Sequence, residues 1–113
     1  MKLDMSTALD FLVEAIKADY RNWWKDADHE KDHLQEMIAE FDAAISVDEG
    51  RKYFKIVKGG SVWGFVVKEN DAKFKAGDIL KAASWATPAK NSARGNIIDG
   101  GYKISWTGPA YLK

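Results

Sequence analysis

His29-Glu30-Lys31-Asp32-His33 is the stretch of this sequence that most resembles reaction machinery. Two histidines four residues apart share one face of a helix and can grip a zinc ion, with the intervening glutamate as general base. The surroundings argue against that chemistry. The central positions are Lys31 and Asp32, and no second motif supplies a third ligand. On a helical projection Glu30 points toward the apolar stripe, while His29 and His33 lie on the polar face beside Asp26, Glu36 and Glu40. The pattern reads as a solvated acidic helix face, and the metal alternative that remains is binding through His29, His33 and Glu36.

Other reaction classes lack their parts. There is no cysteine to serve as a nucleophile, thiolate ligand or disulfide partner, and no P-loop or dinucleotide fingerprint. The expectation is a protein that is not an enzyme and holds no cofactor. Binding chemistry is better represented. Residues 83–96 are small, polar and turn-forming, the composition of a long loop on a rigid sheet, where contact residues tend to gather. Lys90, Asn91, Arg94 and Asn96 in this stretch are candidates for an acidic or phosphorylated partner, with Trp85 at its entry. Trp23 and Trp24 are the other candidates, either packed at a helix rim or left as anchors for a partner protein.

Charge divides the chain in two. Residues 1–49 carry five Lys/Arg against thirteen Asp/Glu, a net −8, and residues 50–113 carry twelve against four, a net +8. Opposite fields of that size can hold the halves together, steer a partner, or favour self-association, including a homodimer through the acidic helices. The basic half, with aromatics on strands, also admits a small nucleic-acid-binding barrel. A length of 113 residues fits a single domain, 1–113. No run approaches the eighteen apolar residues of a membrane span, and the first residues lack a signal-peptide pattern, so a cytoplasmic protein without membrane contact is expected.

The elements that must position these residues follow from periodicity. Leu9, Leu12, Val13, Ile16, Tyr20, Trp23 and Trp24 fall at helical spacing, as do Leu34, Met37, Ile38, Phe41 and Ile45. Thr7 is the expected N-cap, with Asp10 in the first turn, and Gly50 the expected stop. One unbroken helix over 7–46 would be about 60 Å long, too long for a compact domain with a radius of gyration near about 13 Å. A break within Lys25 to Asp32 and a helical pair are therefore preferred, with one long kinked helix as the alternative.

Arg51 to Lys68 reads as a hairpin turning at Gly59-Gly60, which pairs Lys58 with Ser61, Ile56 with Trp63 and Phe54 with Phe65. That register sends Phe54, Ile56, Trp63 and Phe65 to one face and Tyr53, Val57, Val62 and Val66 to the other. Gly64 inside a strand marks a bulge or a close approach. Gly77-Asp78 is a corner before the strand Ile79-Leu80, with Asp78 capping the turn through its side chain. Ile97-Ile98, Asp99 to Gly101 and Tyr102 to Trp106 read as strand, turn and strand, and Tyr111 and Leu112 as a tail against the sheet. Ser84-Trp85-Ala86-Thr87-Pro88 and Ser105-Trp106-Thr107-Gly108-Pro109 look alike and suggest equivalent strand ends. The fold class is α+β: a helical pair packed on a small C-terminal antiparallel sheet or partly open barrel.

The stretches Val62 to Val67, Lys73 to Trp85 and Ala93 to Asn96 together resemble small uncharacterised accessory proteins of tailed bacteriophages. The likeness covers the C-terminal half and brings no catalytic residues. It implies a host-cell cytoplasmic setting and a role exerted by binding a host or phage protein. The expected function is thus protein–protein interaction, with nucleic-acid binding by the basic half and metal binding through His29 and His33 as alternatives.

Overall fold

The computed structural model of the protein describes residues 4–23, 31–90, 92–100, 102–106 and 108–109, and for 31–34 and 109 the backbone only. Asp4, not Thr7, starts the first helix, α1, Met5–Trp23. Its carboxylate accepts the Thr7 backbone N–H at 2.8 Å, and its carbonyl accepts from Ala8. Aspartate caps at least as well as threonine and adds a negative charge at the positive end of the helix dipole. Asp10 consequently falls in the second turn, exposed. Ala8, Leu9, Leu12, Ile16 and Tyr20 form the buried stripe of α1.

The second helix, α2, is Lys31–Ala44, and it folds back on the first. The Tyr20 and Phe41 rings stack 3.9 Å apart, and Arg21 pairs with Asp42 at 3.2 Å, so the helices form a pair and not one long rod. The expected break within Lys25 to Asp32 lies mostly outside the described residues. The stop is also earlier than Gly50. Ile45 follows Phe41 by four residues and so mimics helical phase, yet it opens a strand, β1, Ile45–Glu49. Ile45 and Val47 are β-branched and alternate with Ser46 and Asp48, a period of two that suits a strand. Gly50 instead begins the turn into β2, Tyr53–Lys58, with its N–H donating to the Tyr53 carbonyl at 2.9 Å. The acidic half of the chain thus supplies one strand of the sheet.

Next come β3, Ser61–Val67, and β4, Ile79–Leu80, giving an open antiparallel sheet in the order β1-β2-β3-β4 rather than a closed barrel. The hairpin turns where expected, with Lys58 opposite Ser61, although only Gly59 takes a positive φ, 58°. Beyond Val57–Val62 the register shifts. Ile56 faces Gly64, Lys55 faces Phe65, and Phe54 faces Val66, leaving Trp63 as the extra residue of a bulge. The bulge corrects the expected faces by exchanging Phe65 and Val66.

Two apolar layers result. Phe54, Ile56, Trp63 and Val66 meet α1 and α2, together with Ile79 and Ile97. Phe65 and Val67 pack on the opposite face with Phe74 and Leu80, flanked by Tyr53 and Val62. Trp63 is 2% exposed, and its indole Nε1–H donates to the Ser105 carbonyl at 2.8 Å. That bond ties down a small separate ribbon of β5, Ile104–Ser105, and β6, Gly108–Pro109. The ribbon is shorter than the expected Tyr102 to Trp106 strand. Ile97-Ile98 forms no strand, because the reversal begins at Asn96, whose carbonyl accepts the Gly100 N–H at 3.0 Å. The two Ser-Trp-x-x-Pro stretches are similar reversals, closed by the bridge Ala82 to Pro88 and by the pair Ile104 to Pro109. Tyr111 and Leu112 lie outside the described residues.

Candidate functional site

The side chains that converge on an accessible surface do so on the sheet face away from the helices. Tyr53 and Lys55, two apart on β2, project there with Phe65 of β3, and the Tyr53 and Phe65 rings meet edge to face at 5.9 Å. The β1–β2 turn raises Arg51 and Lys52 at one side, and Ala86 of the 81–89 reversal forms the other. Together with Asp48 and Glu49 they line an open groove of about 420 Å³. Lys55 extends toward this rim with its Nζ 4.6 Å from the Trp85 ring centre, a cation–π contact. Further depressions continue the same face past Lys52 to Lys73, Phe74 and Lys90, and past Arg51 to Lys68 and Asp71.

Hydrogen bonding sets the charge of this face. The Phe74 and Lys73 backbone N–H groups, 2.7 and 2.8 Å from Asp71 Oδ1, hold that carboxyl below its ordinary range, helped by the positive charges of Lys52 and Lys90. Asp4 is held down likewise by the Thr7 backbone N–H. A carboxylate with a lowered folded pKa contributes stability that is complete above its unfolded value, near 3.8, and lost as pH falls through the folded value. Asp71→Ala should therefore lower Tm at pH 7 by a few degrees, on the order expected for one lost turn contact. The gap to the parent protein should narrow as pH falls below 3.8, measured by thermal melts at pH 7 and in acid.

The sequence candidates divide sharply. Trp85 is 54% exposed beside the groove, and Lys90 is exposed, its backbone carbonyl accepting from Lys73 Nζ. Trp23 is 66% exposed, at the end of α1, touching Trp106 edge-on at 6.3 Å on the helix side of the sheet. Arg94 serves the loop: its backbone N–H donates to Ile79 and its Nε to the Ser92 carbonyl. Asn96 is no ligand. Its amide donates to Asp78 Oδ1 at 2.9 Å and to the Ala76 carbonyl, while its oxygen accepts from Ile98 and Asp99 N–H. A side chain with all these bonds satisfied internally has nothing left for a partner. Asp78 does cap its corner, accepting the Lys75 N–H at 2.9 Å. Gly77 permits that corner: its φ is 91°, and a Cβ there would lie 2.9 Å from both Asn96 Oδ1 and Ile98 Cγ1.

Asn91, Trp24 and His29 lie outside the described residues, as does the His33 side chain, and Glu36 is exposed on α2. Among the described residues no cluster of three or more His, Asp and Glu is placed to hold a metal ion. Nor is any helix of the described residues long and apolar enough to cross a membrane. Sequence reasoning missed Arg51, Lys52, Tyr53, Lys55 and Phe65 as a group. The available signal was the Arg-Lys pair at the head of a strand whose next alternate residues, Tyr53 and Lys55, share one face.

Nothing among curated proteins or solved structures matches the chain. Over residues 1–111 it matches the model of a family of unknown function, DUF7717, and the chain belongs to that family.

Proposed function

We propose that the protein is a non-enzymatic accessory module that acts by binding another protein through the helix-free face of its sheet. One observation carries this reading: the acidic helices cover one face, and the other presents Arg51, Lys52 and Lys55 around an aromatic floor of Tyr53 and Phe65. Exposed Arg51 and Lys52 and half-buried Lys55 beside half-buried Tyr53 and exposed Trp85 are the composition of a contact site, with Trp85 as the anchor type that dominates such interfaces. The likeness to phage accessory proteins supports a partner in an infected host cell, either a host protein or a phage protein.

Affinity capture from host lysate with nuclease present tests the reading. A protein retained by the parent and lost with the triple variant Arg51→Glu, Lys52→Glu, Lys55→Glu is the expected outcome. Retention of nothing contradicts it, and retention of only the protein's own chain assigns the contact to a second copy.

A second reading, binding of single-stranded nucleic acid, is favoured by the Lys55–Trp85 pair and by Lys52, Lys73 and Lys90 on the same face. It requires binding that falls steeply with added salt.

A further inference from the structure

We infer that the groove beside the β1–β2 turn receives an extended, acidic segment of the partner protein that inserts one large apolar side chain between its charges. The inference rests on the protein-binding reading above and names the chemistry of its ligand.

Shape supplies the first argument. The groove, about 420 Å³, lies in the range of sites built around one anchoring group. Its floor is the edge-to-face pair Tyr53 and Phe65, with Ala86 opposite, so the walls favour an apolar side chain. Alongside runs β1, the edge strand of the sheet, whose outer N–H and C=O groups can receive an extended segment. A helix would not use that edge.

Charge supplies the second. Among the described residues, no carboxylate lies within ion-pair distance of Arg51, Lys52 or Lys55. Glu49, which could have served, is taken by Lys68 at 2.7 Å, and Lys68 also donates to the Gly50 carbonyl. Asp71 is occupied by two backbone N–H groups. Lys55 is held at the rim by Trp85, so its cation is presented with less freedom to lose on binding. With Glu49 neutralised by Lys68, the three cations outnumber Asp48, which lies opposite Lys55 across β1 and β2, and so complement acidic residues on either side of an apolar one.

The aromatic floor argues against a nucleic-acid strand as the occupant. Phe65 is buried at its edge-on contact and offers no open ring for a base to stack on.

The test is fluorescence anisotropy on the full chain with three labelled probes. They are the heptapeptide Asp-Glu-Asp-Phe-Glu-Asp-Asp, its analogue with alanine for phenylalanine, and a ten-residue oligothymidylate. The phenylalanine peptide is expected to bind, the alanine analogue about ten-fold or more weakly, as loss of one buried aromatic implies. Lys55→Glu and Arg51→Glu, both surface changes whose folding circular dichroism verifies, are each expected to weaken the peptide several-fold. Equal binding of the two peptides, indifference to Lys55→Glu, tighter binding of the oligonucleotide, or no peptide binding each overturns the inference. The broader protein-binding reading falls separately, only when nuclease-resistant capture fails.

Discussion

Trp63→Ala is expected to remove about 3–5 kcal/mol of stability, the range for truncating a large buried aromatic. A domain of this size has only about 5–15 kcal/mol in total, so the variant should be unfolded or nearly so at 37 °C. Trp63 occupies the bulge of β3, where the shifted register turns its ring toward α1 and α2. Its N–H also holds the β5–β6 ribbon through Ser105. Trp63→Phe separates the two roles: it keeps most of the apolar area and leaves the Ser105 carbonyl unpaired, for a loss of about 1–3 kcal/mol. Urea titration followed by far-ultraviolet circular dichroism gives both values. Hydrogen exchange on Trp63→Phe should show protection lost at residues 104–106 while 54–57 keep theirs. Equal loss in both segments would mean that the indole N–H does not anchor the ribbon.

The second large effect is expected at Asp78 and Asn96. Asp78 is buried and Asn96 half-buried, and each holds a backbone corner as well as the other. Asp78→Ala and Asn96→Ala should each cost about 2–3 kcal/mol, the penalty for leaving buried polar partners unpaired. The double variant should lose less than the sum by about 1 kcal/mol, because the shared bond can be broken only once. Urea midpoints for the four proteins close the cycle. Strict additivity would show that the two residues act independently.

These two sites show what the amino-acid order makes legible. Gly59-Gly60 between alternating apolar runs announces its hairpin, because turn chemistry and strand period agree on Lys58 opposite Ser61. The bulge at Trp63 leaves no such mark beyond Gly64, since it is selected by how an indole fits against two helices. β1 was hidden for a related reason: Ile45 lies four residues after Phe41 and so satisfies both a helical and a strand pattern. Asp78 could be read as a turn cap from its place after glycine. Asn96 could not, as its partners at 76, 78, 98 and 99 come together only when the corner and the following reversal meet. The groove was illegible because Arg51, Lys52, Tyr53 and Lys55 form no motif; their meaning comes from Phe65 and Ala86, brought opposite them by the sheet and by the 81–89 reversal.

Under the proposed reading, partner contact falls on the helix-free side of the sheet, at the groove of Arg51, Lys52, Tyr53 and Lys55. Amide chemical shifts of the labelled protein, recorded while the phenylalanine heptapeptide is added, test this most directly. Changes should cluster at residues 48–55, 65 and 85–86, with α1 and α2 unmoved. Changes centred on Phe11, Trp23 and the exposed faces of the helices would contradict the account and move the contact to the opposite side of the sheet.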